Sequence, residues 1–292
     1  MPQSVVCSAP RTTGFACWPG DVSFAIPRFF CECSVAVSDS LGNKRVALFV
    51  PCYVDQWVPR VAFATLEVLR RIGVRPEYPR QQTCCGQPLA NIGCADEARL
   101  LAERFVRVFA DFDYVVCPSG SCVAMVREHY ASLMADDVER EVVCSRVYEL
   151  CEFLTEVAGI ERFAGHFPFR VGLQRSCHAL RGLRLGVASE LVLPARDPVA
   201  GLLSGLEGLQ LVDLERVDEC CGFGGTFSVE ETGVSTMMGR DRIRDHCAAG
   251  AEVIASVDLS CLLHLDGLAR RQGVPLRVMH VAEILADGEP VR

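Results

Sequence analysis

Short apolar runs alternate with longer amphipathic stretches along most of this chain. The run at 46–50 is wholly apolar up to Pro51 and predicts a buried parallel strand. The stretch at 58–72 has helical periodicity and places four apolar residues on one predicted face: Phe63, Leu66, Leu69 and Ile72. Further along we predict a helix at 96–109, a strand at 114–116, a helical connector at 147–158, strands at 169–173 and 209–212, a helix at 230–249, a strand at 253–257 and a last helix opened by Cys261. This alternation is typical of an open α/β sheet.

The order of elements occurs twice, and each copy carries the same cysteine pattern. A single cysteine, an adjacent pair followed by glycine, and a last single cysteine follow one another at Cys52, Cys84, Cys85 and Cys122, and again at Cys177, Cys220, Cys221 and Cys261. We therefore predict an α/β protein of two pseudo-symmetric, Rossmann-like open-sheet modules. The predicted boundaries are a tail at 1–45, a first module at 46–145, a connector at 146–168 and a second module at 169–292.

Cysteine is also the residue whose use departs furthest from the ordinary, with 17 among 292 residues. No secretory signal is visible near the start, where Arg11, Asp21 and Arg28 interrupt the apolar runs. We therefore expect reduced thiols in a cytoplasmic protein, where a cysteine pattern indicates metal binding or catalysis more often than disulfides. A net charge of -8 without a Lys/Arg run argues against nucleic-acid binding, and no apolar run is long enough for a membrane span.

The adjacent cysteine pairs are the strongest sign of a site. Neighbouring residues on a helix or strand cannot both point into one packed face, so each pair is expected in a loop that aims two sulfurs at one object. Gly86 and Gly222 follow the pairs and allow a close approach of the backbone. The single cysteines follow predicted strands, and ligands of open α/β sheets bind beyond the carboxyl ends of strands. We predict one site per module for an iron-sulfur cluster or zinc.

Four longer motifs carry a resemblance to a known family. They are Thr-Cys-Cys-Gly-Gln-Pro at 83–88, Cys-Pro-Ser-Gly-Ser-Cys at 117–122, Ser-Cys-His-Ala-Leu-Arg at 176–181 and Cys-Cys-Gly-Phe-Gly-Gly-Thr-Phe at 220–227. The chain resembles the tandem cysteine-rich CCG domain proteins, which include the cysteine-rich subunit of heterodisulfide reductase and the glycolate oxidase iron-sulfur subunit. Within them it is most similar to the lactate utilisation protein A family, over nearly all of the chain from Val46.

The resemblance implies an iron-sulfur electron-transfer subunit of a cytoplasmic complex that oxidises L-lactate to pyruvate. It implies iron-sulfur clusters of the 4Fe-4S type, held by the eight cysteines of the two repeated sets, and partners that include a ferredoxin-type iron-sulfur subunit. Members of this kind begin directly with the first strand, so we hypothesise that the irregular tail at 1–45 reflects a misassigned start codon. Mass spectrometry of the native protein that finds the tail intact would contradict this.

The chain departs from the broader family at the last cysteine of each module. That element is often Cys-x-x-Cys, whereas Ser119 and Asp258 stand at its first position here. Each module therefore offers four matched sulfurs instead of five. Cys117 is a candidate replacement ligand in the first module, with packing at the strand end as the alternative. His178 is a further candidate, either as an iron ligand, a proton carrier or a hydrogen-bond donor to sulfur.

Zinc remains the alternative metal. Four thiolates suit zinc as well as an iron-sulfur cluster, and zinc in one or both modules would make the protein a non-redox assembly or scaffold subunit. The adjacent cysteines favour the cluster, because structural zinc more often uses cysteines separated by two residues. Thiol-disulfide catalysis has little support, since no Cys-x-x-Cys occurs in the chain.

Overall fold

The computed structural model describes residues 41–134, 137–191 and 197–291. Within them the strands are β1 (Val46–Leu48), β2 (Tyr114–Cys117), β3 (Val147–Glu149), β4 (Arg162–His166), β5 (Arg170–Leu173), β6 (Leu206–Glu207), β7 (Gln210–Leu211), β8 (Val253–Ser256), β9 (Arg277–His280) and β10 (Glu289–Val291). The helices are α1 (Cys52–Trp57), α2 (Arg60–Arg71), α3 (Gln87–Asn91), α4 (Ala95–Phe109), α5 (Gly120–Ala124), α6 (Tyr130–Leu133), α7 (Val138–Ser145), α8 (Leu150–Glu152), α9 (Pro198–Leu203), α10 (Phe227–Glu230), α11 (Thr232–Ala248), α12 (Leu259–Gln272) and α13 (Val281–Leu285). Met125–His129, Phe153–Val157 and His178–Gly182 form π-helical turns.

Two parallel sheets have the same strand order. The second is β7-β5-β8-β9, with every pairing parallel. The first is β1-β2-β3, also parallel, and Glu77 adds a parallel bridge to Ala47 of β1. The Glu77 segment therefore corresponds to β7. In both sheets, counted along the chain of each module, the strands lie side by side in the order second, first, third, fourth. The predicted α/β fold of two open-sheet modules is confirmed.

This order places a ligand-binding crevice in each module. The second strand lies on one side of the first strand, and the third strand lies on the other side. The connections that leave the first and third strands therefore diverge at the carboxyl ends of these strands, which leaves a crevice between them. Cys52 follows β1 and Cys122 follows β2, the two strands that flank this point in the first module. Cys177 and Cys261 follow β5 and β8, which flank it in the second. Strand order thus brings the distant single cysteines together.

The modules are joined by helix packing, and a small third sheet attaches the connector to the second module. In that sheet β4 pairs antiparallel with β10 and parallel with β6. Helix α2 of the first module packs against α13 of the second. Near this contact Arg71 donates to a carboxylate oxygen of Glu289 at 3.1 Å. A continuous buried apolar core runs through both modules, so the two sheets form one packed unit.

Helix α2 forms where predicted, and most of its predicted face is buried. Leu69 and Ile72 lie in the core, and Leu66 is partly buried against it. Phe63, placed on the same face by the sequence pattern, has 70% of its surface exposed, whereas Val61 is fully buried. The prediction was wrong at Phe63, because several apolar residues of this helix compete for the core and periodicity does not say which the sheet will cover.

The segment predicted as a helical connector begins with a strand. Val147–Glu149 is β3, the last strand of the first sheet, and only the residues after it are helical. A helix over all of 147–158 was therefore wrong. Three residues are too few to show strand periodicity, and β3 is defined by its pairing with β2, which sequence pattern does not report. The final helix expected at Cys261 is followed by β9, α13 and β10.

Residues 1–40, which make up most of the predicted tail, lie outside the described residues. Among the helices of the described part, none combines the length and apolar character that crossing a bilayer requires.

Candidate metal centre

The four matched cysteines of the first module meet at the carboxyl end of its sheet. Cys52 is the first residue of α1 and Cys122 lies in α5, while the adjacent pair occupies the loop before α3. The sulfur of Cys52 is 3.6 Å from that of Cys84, and the sulfur of Cys85 is 3.5 Å from that of Cys122. Cys85 and Cys122 are buried, whereas the other two are partly exposed. The predicted loop brings both of its sulfurs to partners on the strand ends.

The conformation of that loop depends on glycine. Gly86 has a φ of 87°, a left-handed value that side chains disfavour. In this conformation its N–H donates to the sulfur of Cys84 at 3.4 Å. On the buried side, the hydroxyl of Tyr130 donates to the carbonyl of Cys85 at 2.9 Å. Backbone donors aimed at sulfur are the contacts that stabilise thiolates and metal-bound sulfurs.

Hydrogen bonds between the sulfurs separate their acidities. The pKa of Cys84 is lowered to about 3, chiefly because its sulfur accepts from Cys52 and then from Cys85. The pKa of Cys122 is lowered to about 5, first by a hydrogen bond from Cys117 and then by one from Cys85. The donor thiols shift the other way, so the pKa of Cys52 is raised chiefly by its bond to Cys84. Each pair thus supplies one thiolate, the ligating form.

The second module repeats this arrangement. Cys220 and Cys221 lie in a loop, Cys177 follows β5, and Cys261 lies in α12. Gly222 has the same φ of 87° as its counterpart, and its N–H donates to the sulfur of Cys220 at 3.4 Å. The pKa of Cys220 is lowered to about 2, chiefly by a hydrogen bond from Cys177. That of Cys221 is raised, first by its bond to Cys220 and then by its bond to Cys261.

Both cysteine groups open into one cleft of about 120 Å³ between the modules. Seven of the eight cysteines line it, namely Cys52, Cys85, Cys122, Cys177, Cys220, Cys221 and Cys261. Cys84 is not on its surface but contacts Cys52. Residues of both modules also meet across the cleft: Gln87 Nε2 lies 3.3 Å from His178 Nε2, and the rings of Tyr53 and Phe223 pack edge to face with centroids 5.8 Å apart.

Of the described residues that line the cleft, only His178 is basic. Neither lysine nor arginine is among the described residues that line it. Arg175 and Arg181, which follow the second strand region and could have held a carboxylate, are bound elsewhere. Arg175 pairs with Asp197, and Arg181 pairs with Glu190 at 2.8 Å. These arginines therefore offset acidic residues of the protein itself.

The less favoured ligand candidates occupy different positions. Cys117 is fully buried at the end of β2, where burial raises its pKa, and it does not line the cleft. His178 does line the cleft, with Nδ1 at 3.7 Å from the sulfur of Cys177. His264, a further histidine three residues after Cys261, contacts the backbone oxygen of Ser235 and the ring of Phe223, and burial lowers its pKa. Of these three residues, only His178 lines the cleft.

Sequence reasoning missed the polar residues that hold the cysteine loops against the strands. In the first module Gln82 accepts from the N–H of Val50 at 2.7 Å and donates to the carbonyl of Leu48 at 3.2 Å. In the second, Gln174 donates to the carbonyl of Glu219 at 3.1 Å and accepts from Arg242 at 2.9 Å. A glutamine two or three residues before a matched cysteine was the available signal. Each glutamine joins a strand end to the loop that carries the cysteine pair.

The donor set fits a metal that prefers sulfur. Thiolates select iron-sulfur clusters, zinc or copper(I) over hard cations, and each module supplies four sulfurs together with backbone N–H groups directed at them. Among the described residues, no group of three or more His, Cys, Asp or Glu side chains surrounds a point as the ligands of a single ion would. The sulfurs instead approach one another in pairs.

Comparison with known proteins identifies the family. The profile of the CCG cysteine-rich domain matches residues 46–127 and 171–266, one copy per module. Lactate utilization protein A of Geobacillus kaustophilus is 38% identical over 244 residues, which cover 82% of this chain and 98% of the relative. The chain belongs to the lactate utilization protein A family of CCG-domain proteins. The resemblance seen in the sequence motifs is thereby confirmed.

Other members of the family align over a similar span. The protein of the same name from Exiguobacterium is 38% identical over 83% of this chain and 97% of its own length. The one from Halalkalibacterium halodurans is 37% identical over 85% of this chain and 99% of its own length. Among solved structures, a putative Asp/Glu racemase from Yersinia pestis superposes with a TM-score of 0.35 at 13% identity, covering 83% of this chain and 96% of that one, too loosely to inform the fold.

Proposed function

We propose that this protein is an iron-sulfur electron-transfer subunit of a cytoplasmic complex that oxidises L-lactate to pyruvate. The proposed ligands are Cys52, Cys84, Cys85 and Cys122 in the first module and Cys177, Cys220, Cys221 and Cys261 in the second. The observation that carries the proposal is that both sets reach one cleft, each with its adjacent cysteine pair and the N–H donor of the following glycine arranged in the same way. A cluster of the 4Fe-4S type bound there would supply one-electron redox chemistry.

The charges of the cleft support an electron-transfer role over a substrate-binding one. The carboxylate of lactate would call for a cationic partner, and proteins usually provide arginine for this purpose. The cleft-lining residues of the described chain include neither arginine nor lysine, and Arg175 and Arg181 are already paired. We therefore place the lactate-binding step on a partner subunit. A ferredoxin-type subunit is the proposed partner for electron transfer.

Anaerobic purification followed by metal and sulfide analysis tests the cofactor. We expect iron and acid-labile sulfide in the purified protein, with an EPR signal that changes on reduction, because the donor set is soft and each module supplies four sulfurs. Stoichiometric zinc without iron and without a reducible signal would contradict the redox role and favour the zinc scaffold.

Growth on L-lactate tests the substrate separately. A strain that lacks this gene is expected to lose growth on L-lactate, and the wild-type gene should restore it. The Cys85→Ser gene should not restore growth, since it removes a proposed ligand. Unchanged growth of the deletion strain would show that the lactate assignment is wrong even where the clusters are present.

A further inference from the structure

Ser119 and Asp258 occupy equivalent positions at the starts of the helices that carry Cys122 and Cys261. Each residue directly precedes its helix, α5 or α12. They are 139 positions apart in the sequence, yet the hydroxyl of Ser119 donates to Oδ1 of Asp258 at 2.8 Å. The two positions at which the broader family often carries a further cysteine are therefore bonded to each other at the junction of the modules.

Asp258 caps the helix of the other module instead of its own. An aspartate at this position usually accepts an N–H from the first turn of the helix it precedes, but its side chain makes no such bond to α12. It accepts the N–H of Ser121 in α5 at 3.0 Å and the hydroxyl of Ser121 at 2.7 Å. It also accepts the hydroxyl of Ser176. Ser121 and Ser176 directly precede Cys122 and Cys177, so one carboxylate is tied to the neighbour of a proposed ligand in each module.

The serine hydroxyls around Asp258 donate to its carboxylate. Ser119 Oγ accepts from the N–H of Cys122 at 3.3 Å, and Ser176 Oγ accepts from the N–H of Ala179 at 3.5 Å. Each hydroxyl therefore has its own proton available for the carboxylate. Asp258 is 1% exposed, and donors reach both of its oxygens. Charge-assisted bonds of this number stabilise an ionised carboxylate in a buried position, so a negative charge lies at the junction.

This charge reaches both cysteine groups. Asp258 lines the shared cleft together with the three serines bonded to it. Ser121 and Ser176, the neighbours of Cys122 and Cys177, both donate to its carboxylate. A single buried carboxylate therefore lies within two hydrogen-bonded residues of a proposed ligand in each module.

We propose that Asp258 is a positioning residue common to both sites, which holds the two cysteine groups in register and lowers the reduction potential of whatever cluster each one binds. This inference rests on the proposed function. Reduction adds an electron to a site, and a buried negative charge nearby disfavours that addition, more strongly than in water because the surroundings screen it less. The serine hydroxyls moderate the effect by partly neutralising the carboxylate.

Replacing Asp258 with asparagine tests the charge while it keeps the size of the side chain. In Asp258→Asn both clusters are expected to be retained, and both reduction potentials should rise. The expected rise is at least a tenfold change in the ratio of oxidised to reduced cluster at fixed potential, or about 59 mV for a one-electron couple. An EPR-monitored redox titration measures both. Unchanged potentials, or a rise at one site only, would overturn the proposal.

Two further variants separate the local role from general effects of charge and folding. Asp266→Asn removes the same charge from the same helix at a partly exposed position paired with Arg270, and it should leave both potentials unchanged. Ser176→Ala removes one donor and keeps the carboxylate, so both potentials should fall instead of rise. A fall of both potentials in Ser176→Ala would support the charge effect even if Asp258→Asn does not fold, because a purely structural role would not lower them. Potentials that rise or stay unchanged in this variant would contradict it.

If the purified protein contains only zinc, the proposed redox function is wrong, but the positioning role of Asp258 can still be tested. Release of zinc to a chelator then replaces the redox titration. Asp258→Asn is expected to accelerate release from both modules about tenfold, the effect of losing a hydrogen bond to a charged group. Acceleration in one module alone, or in neither, would overturn the inference.

Discussion

Replacing Cys85 with serine is expected to remove the cluster of the first module and leave that of the second in place. Cys85 is buried, and its sulfur lies 3.5 Å from that of Cys122. When serine replaces it, no other ligand therefore has room to enter its position. A serine hydroxyl is also a harder donor than a thiolate and stays protonated at neutral pH. The reciprocal variant, Cys221→Ser, should remove only the second cluster, because the sulfur of Cys221 bonds to those of Cys220 and Cys261, which belong to the same module.

Iron and sulfide content measure the outcome directly. Each variant should retain about half of the wild-type iron, by the symmetry of the two four-cysteine sets, and the residual EPR signals of the two variants should sum to that of the wild type. Cys94→Ser and Cys247→Ser are matched controls at partly exposed cysteines outside both sets, and they should retain full content. Loss of both clusters in either Cys85→Ser or Cys221→Ser would instead indicate one shared site in the cleft.

Replacing Gly222 with alanine is expected to disrupt the second site far more than the same change at Gly86 disrupts the first. Both glycines have a φ of 87°, so both variants carry the cost of a left-handed residue, about 1–2 kcal/mol. A methyl group at Gly222 would lie 2.7 Å from the backbone oxygen of Ser235 and 2.7 Å from Cβ of Met238. At Gly86 the nearest contact is the oxygen of Ala98 at 3.4 Å. Overpacking therefore adds about 1–3 kcal/mol at Gly222 alone.

Chemical denaturation and cluster content distinguish the two variants. Gly222→Ala should lower the free energy of unfolding by more than Gly86→Ala does and should lose most of the second cluster, whereas Gly86→Ala should keep most of the first. Since the backbone angle is the same in both loops, each variant serves as the control for the other. Equal losses would mean that the angle, and not the available space, limits these loops.

Local pattern was sufficient for the elements that lie directly beside the cysteines. The strands β1, β2, β5 and β8 and the helix α4 form close to their predicted ranges, because each has a strong apolar run or a full amphipathic face. Sequence pattern failed where strand pairing, or competition between apolar side chains for the core, decided which structure formed. Val147–Glu149 became a strand by pairing with β2, and α2 buried Val61 in place of Phe63.

The candidate site shows the same division between what is local and what is distant. Sequence singled out the eight cysteines as candidate ligands, because adjacent cysteines with glycine at repeated spacing are a rare local signal. It also marked Ser119 and Asp258 as departures from the wider family, yet it could not say that they bond to each other. Gln82 and Gln174 were missed altogether, since a single glutamine carries no periodicity.

The sequence by itself determined the fold class, the repeat of two modules and the set of candidate sulfurs, because each is encoded in runs, spacings or motifs within one module. Only the tertiary structure decided that both cysteine groups open into one cleft, with neither arginine nor lysine among its described lining residues, and that Asp258 bonds to Ser119 from 139 positions away. The physical reason is that parallel strand order and the packing of one module on the other bring carboxyl ends together, and neither leaves a mark on local pattern.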